Sequence, residues 1–198
     1  MALALMIAGP ASANHNWGKY HWARSSTTTP IDLVVDDSGV ANSWRPSTVL
    51  SNWNTYGGPI SLSSGKNGID ITTTSDSFGF TGWLGLATIS IIDRQGHIGS
   101  GTVKLNQTYW DANLGLTNDD KQSVYCEELG HTLGLTHNHN RRFDAATTCM
   151  NDRLFNLTPN QHDEDELNLI YDHADGFSSF RQTNFLSQKR VRIIVPAP

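Results

Sequence analysis

The chain has 198 residues, of which 37% are hydrophobic and 17% charged, which excludes a disordered chain and suits one domain with its own core. The net charge is -5 and no basic cluster appears before Lys189-Arg190-Val191-Arg192, which argues against a nucleic-acid partner. No stretch is apolar for long enough to span a bilayer.

Ala2 to Ala8 is a short apolar run, and Ala11-Ser12-Ala13 fits a signal-peptidase site. Residues 1–13 are therefore expected to be a signal peptide, shortened at its N-terminus, and the mature chain to be secreted. Residues 14–30 are polar and aromatic and predict an arm laid on the domain. In that arm, His15 and His21 read as surface or packing residues. Ile31–Val35 predicts a strand closed by the turn cluster Asp36-Asp37-Ser38-Gly39. Val49, Leu50 and Trp53 recur at helical spacing, and Gly57-Gly58-Pro59 stops that helix. Further strands are predicted at 60–62, 69–74, 84–92 and 102–105, with 93–101 as a glycine-containing loop. Asn118-Asp119-Asp120 favours the start of a helix.

That helix carries Cys126-Glu127-Glu128-Leu129-Gly130-His131-Thr132-Leu133-Gly134-Leu135-Thr136-His137. Glu127 and His131 are four apart and share one helix face, so both can grip one ion. Gly134 can turn the chain back at little conformational cost, which lets His137 close on the same ion. Glu128 lies one step round the helix, where a general base for a water would stand. His139 is a spare donor. Cys126 and Cys149 form an even pair, which in an exported chain suggests a disulfide. Thr158-Pro159-Asn160-Gln161 predicts a helix start, with Thr158 as cap and Pro159 as first residue, and Leu167, Ile170 and Tyr171 as the buried face. His162 and His173 read as packing or surface groups, and no role is assigned to residues 176–198.

The run from Glu127 to His137 resembles the metzincin zinc-peptidase signature H-E-x-x-H-x-x-G-x-x-H, with Glu127 where that family has its first histidine. The cysteine before it and the later Thr148-Cys149-Met150 are similar to a matrixin-like group of secreted bacterial proteins. The resemblance implies an α+β fold: a twisted mixed sheet with two main helices in an upper subdomain, then an irregular lower subdomain with a methionine turn at Met150 and a C-terminal helix. Periodicity alone gives only α/β or α+β. The metallopeptidase domain would cover residues 14–175 and act as a monomer.

The implied function is secreted, zinc-dependent endopeptidase activity with a zinc-activated water. Glu127, His131 and His137 would hold Zn2+, Glu128 would be the general base, and the partner would be a peptide or protein. Leu84, Gly85, Leu86 and Ala87 would lie on an edge strand along the cleft, to which a peptide can add as a further strand. An ionised Glu127 would make the site less positive by one unit than a third histidine would. The alternative is an exported binding protein of this fold whose catalysis is weak or lost because of Glu127.

Overall fold

The structure is a computed structural model that describes residues 15–139, 147–151, 153–177 and 189–196. Its strands are β1 (His21–Trp22), β2 (Ile31–Gly39), β3 (Ile60–Ser64), β4 (Ile71–Asp76), β5 (Trp83–Ile91), β6 (His97–Asn106) and β7 (Lys189–Pro196). The helices are α1 (Pro46–Trp53), the single turn α2 (Thr108–Asp111), α3 (Asn118–Thr132) and α4 (Gln161–Ile170). The class is α+β. One mixed sheet runs in the order β3-β2-β4-β6-β5-β7, and β1 pairs with the first residues of β6. Strands β2, β3, β4 and β6 are mutually parallel, while β5 runs antiparallel to both neighbours.

Helix α3 lies on this sheet, packed against β5, β6, α1 and β7. Thr117 caps it in a reciprocal capping box with Asp120, and Asp119 and Asp120 face the positive end of its dipole. Every residue from Lys121 to Thr132 is buried, so the helix is enclosed on all sides. Its last carbonyls need partners, since water is excluded there, and an internal carbonyl takes one as well. Trp53 Nε1 donates to Cys126 O at 3.1 Å, Trp22 Nε1 to Thr132 O at 2.9 Å, and Tyr171 Oη to Leu133 O at 2.9 Å. Three aromatic side chains thus pack against the helix and fix its height above the sheet.

Several sequence expectations change. The N-terminal arm is part of the core: Trp22 and Ala23 are fully buried, and Arg24 donates to the carbonyls of Ser26, Thr29 and Tyr171. Asp36-Asp37-Ser38-Gly39 does not end β2. The Asp36 carboxylate accepts from the Ser38 backbone and hydroxyl, making a local irregularity that the strand passes through with a register shift. β6 begins at His97 rather than at Thr102. Gly101 read as a loop residue, but it is a strand position where a Cβ would stand only 3.1 Å from Thr132 of α3, a tight fit. α4 starts two residues later than expected. Asn160 is its cap, in a capping box with Asp163, while Thr158 O accepts from Cys149 N at 2.9 Å.

Cys126 and Cys149 form a disulfide with Cα atoms 5.9 Å apart, tying α3 to the segment before Met150. Closing a loop of this size stabilises the fold by about 3 kcal/mol in the chain-entropy account.

Glu164, on the first turn of α4, is buried with its carboxylate against Gly58. Burial, then Asp165 and Asp163, push its pKa up to about 7 from the ordinary 4.5. Above pH 4.5 the unfolded chain releases this proton while the folded chain retains it, so stability falls with rising pH until about pH 7. Glu164→Gln is therefore expected to be about 2 kcal/mol more stable than wild type at pH 8 and equal to it at pH 4.5, read from denaturant midpoints. Parallel pH dependence in the two proteins would refute this.

Candidate metal centre

Glu127 and His131 project from the same face of α3, one turn apart. The helix ends at Thr132, and Gly134 takes φ 101°, a left-handed conformation that turns the chain back. A side chain at Gly134 would also strike Tyr20 O, 2.6 Å from the Cβ position. The returning segment is held by the N-terminal arm. Trp17 N donates to Gly134 O at 2.6 Å, and Thr136 N donates to His15 O at 2.6 Å. Asn138 N then donates to Met150 O at 2.6 Å, and Asn151 Nδ2 to Asn138 O at 2.9 Å. His137 is thus fixed on both sides, by the arm before it and the Met150 turn after it.

The structure brings Glu127, His131 and His137 together, each with a ligand atom within 4.8 Å of the others. His137 Nε2 is 3.8 Å from Glu127 Oε1, and the His131 and His137 rings have centroids 4.8 Å apart. Leu135 O, 3.0 Å from His131 Nδ1, can only accept, so the proton of His131 is on Nδ1. Its Nε2 is left as a bare lone pair, fully buried, with no hydrogen-bond partner among the described residues. Burial, then the neighbouring His137, push the His131 pKa down to about 3, so the imidazole is neutral, the form that ligates. A buried lone pair directed at a carboxylate and a second imidazole fits a cation, and two imidazoles with one carboxylate are a competent donor set. His139 is exposed, with its ring centroid 5.8 Å from that of His137, and is not among the mutually close donors.

Glu128 is fully buried on the adjacent face of α3. Its carboxylate packs against the backbone of Gly85 on β5, close enough that any side chain at position 85 would displace it. Met150 is fully buried, and its sulfur lies against Gly130, again where a Cβ would collide. The absence of side chains at positions 85 and 130 therefore lets β5 and the Met150 turn close onto the helix from two directions.

The expected free edge at Leu84, Gly85, Leu86 and Ala87 is not free. β7 pairs antiparallel along β5, with Gly85 opposite Val195, Leu86 opposite Ile194 and Ala87 opposite Ile193. The residues left without a role thus include a strand that ends the sheet beyond β5 and touches α3. Ile193-Ile194-Val195 has the β-propensity for it, but its partner is about a hundred residues away and cannot be read from local pattern.

Two more groups of potential ligands lie on the arm's path: His15, His162 and Asp163, and His21, His97 and Asp175. In the first, His15 Nε2 is 3.1 Å from Asp163 Oδ1 and its ring stacks on His162. Asp163 also accepts from Thr148 Oγ1 and from the backbone N–H of Asn160, the cap of α4, so this group joins the arm, α4 and the Met150 turn. Neither group carries a ligand spacing in the sequence, because its members come from distant parts of the chain.

Among the described residues, no helix is long and apolar enough to cross a membrane. Comparison with protein-family models finds no match, and comparison with curated proteins finds no significant match.

Proposed function

We propose that this chain is an exported zinc endopeptidase of metzincin type, in which Glu127, His131 and His137 hold the ion and Glu128 is the general base. The observation that carries this reading is the buried, convergent donor set on α3 and its returning turn, with a buried carboxylate on the next residue. Bound there, zinc would supply a Lewis acid for the scissile carbonyl and acidify the attacking water. Glu128 takes the proton from that water and passes it to the leaving amine. Neither binding nor structural support calls for a carboxylate at that position. Met150 gives the site an apolar floor, and the Cys126–Cys149 disulfide is compatible with an oxidising, extracellular setting.

In this reading β5 is the strand along which a peptide substrate adds, and β7 occupies that place in the folded chain. The covered edge also favours a second reading, an exported protein of this fold that binds without turnover. The two separate on cleavage of a casein-like substrate, which the peptidase performs, which a chelator stops and which added zinc restores. His131→Ala is expected to lower the zinc content by one ion per chain and remove cleavage, while His139→Ala leaves both unchanged. Equal losses from the two substitutions would show that the third donor is misassigned, and no zinc lost with His131 would overturn the site.

A further inference from the structure

We propose that His21, His97, His173 and Asp175 form a second zinc site, closed and structural, which pins the N-terminal arm and the segment after α4 to the start of β6. His21, His97 and Asp175 offer ligand atoms within 4.8 Å of one another, and His173, from the same segment as Asp175, stands against two of the three. Asp175 Oδ1 lies 3.1 Å from His97 Nε2, 3.2 Å from His173 Nε2 and 3.5 Å from His21 Nε2. His21 Nε2 and His173 Nε2 are 3.3 Å apart. Two ligands bound tetrahedrally to zinc at ordinary bond lengths stand about 3.3 Å from each other, and these separations bracket that value.

The opposite nitrogens show why an ion belongs there. His21 Nδ1 is 2.8 Å from Lys19 O, an acceptor, which places the His21 proton on Nδ1. His97 Nδ1 meets the Asp93 carboxylate, and His173 Nδ1 is 3.4 Å from Asp172 Oδ1. Asp93 is itself fixed by the backbone N–H groups of Gly96 and His97, and Asp175 Oδ2 accepts from Arg24 N at 3.0 Å. With their Nδ1 atoms on oxygens, His21 and His97 turn Nε2 lone pairs toward Asp175 Oδ1, while His173 Nε2 is within hydrogen-bond distance of His21 Nε2. His97, 3% exposed, has an Nε2 that makes no hydrogen bond, although Asp175 is within reach. An imidazole lone pair facing a carboxylate oxygen is repelled by it, and a divalent cation removes the conflict. Oxygen-anchored imidazoles are the arrangement that orients metal-ligating histidines.

Three imidazoles with one carboxylate make a four-donor set that suits zinc in a structural role, with the half-exposed His173 closing on the ion as the fourth ligand. His21 belongs to the arm whose residues 15–17 hold the segment leading to His137. An ion here would therefore support the geometry of the first centre without taking part in its chemistry.

The test uses the full chain carrying His131→Ala, which removes the first site, stripped by chelator and titrated with zinc chloride alone. We expect about one zinc per chain, a rise in the thermal midpoint on binding, and, with cobalt(II) in its place, the intense visible absorption of tetrahedral coordination. His97→Gln or His173→Ala added to that background should weaken binding by about a hundredfold. His173 is half exposed, so its removal leaves the fold intact if His97→Gln does not. No zinc taken up by the His131→Ala chain, or uptake that neither substitution weakens, would overturn the proposal. Either result leaves the first site to its own test, because that site loses its ion with His131 alone.

Discussion

Glu128→Gln is expected to lower peptide turnover by at least about a hundredfold while leaving the zinc content unchanged. The amide has nearly the shape of the carboxylate, so it can keep the packing against Gly85 that the buried side chain makes. It cannot take up a proton, so the water loses its base and the leaving amine its acid. Glu127 is expected to behave in the opposite way: its removal should release the ion, because its oxygen belongs to the convergent donor set. The two neighbouring glutamates thus separate by readout, with turnover lost at one position and metal lost at the other. Equal zinc loss from both substitutions would mean that Glu128 serves the ion rather than the water.

Deleting residues 189–198 is expected to raise turnover of a short quenched peptide about tenfold or more. In the intact chain β7 occupies the hydrogen-bonding edge of β5 from Trp83 to Ile91, the strand to which a substrate would add. A tethered strand competes at high effective concentration, so a free peptide gains access only in the small fraction of molecules whose β7 is detached. Ile194→Pro should act in the same direction in the full-length chain, because proline removes a ladder donor and clashes within a paired strand. A synthetic peptide with the sequence of residues 189–196 should inhibit the shortened chain and restore the low rate. Unchanged turnover in both the deletion and the proline variant would show that the strand is part of the fold and does not obstruct the cleft.

What could be read from the sequence was local. Glu127 and His131 lie four apart on a helix whose start is marked by acidic and capping residues, and Gly134 announces the turn that returns His137, so that convergence was legible. The Cys126–Cys149 pairing followed from two cysteines in a chain read as exported. The arm around Trp22 and Arg24 was not legible as core, because its polar groups are satisfied by carbonyls distant in sequence. The cap of α4 was misplaced by two residues because Thr158-Pro159 and Asn160 offer competing starts, and the reciprocal bonds of Asn160 and Asp163 decide between them. The covering of β5 by β7 depends on a register that only tertiary packing sets. The cluster of His21, His97, His173 and Asp175 spans most of the chain and has no ligand spacing beyond the short His173-x-Asp175 pair.

In the proposed function, Glu128 acts as base for peptide hydrolysis beside an ion held by Glu127, His131 and His137. It is tested most directly by turnover of a quenched peptide by the chain lacking residues 189–198, measured with glutamate and with glutamine at position 128 at equal zinc content. Cleavage with glutamate is expected to be chelator-sensitive and to fall at least about a hundredfold with glutamine. Equal turnover in the two proteins, or none in either with zinc bound, would contradict it.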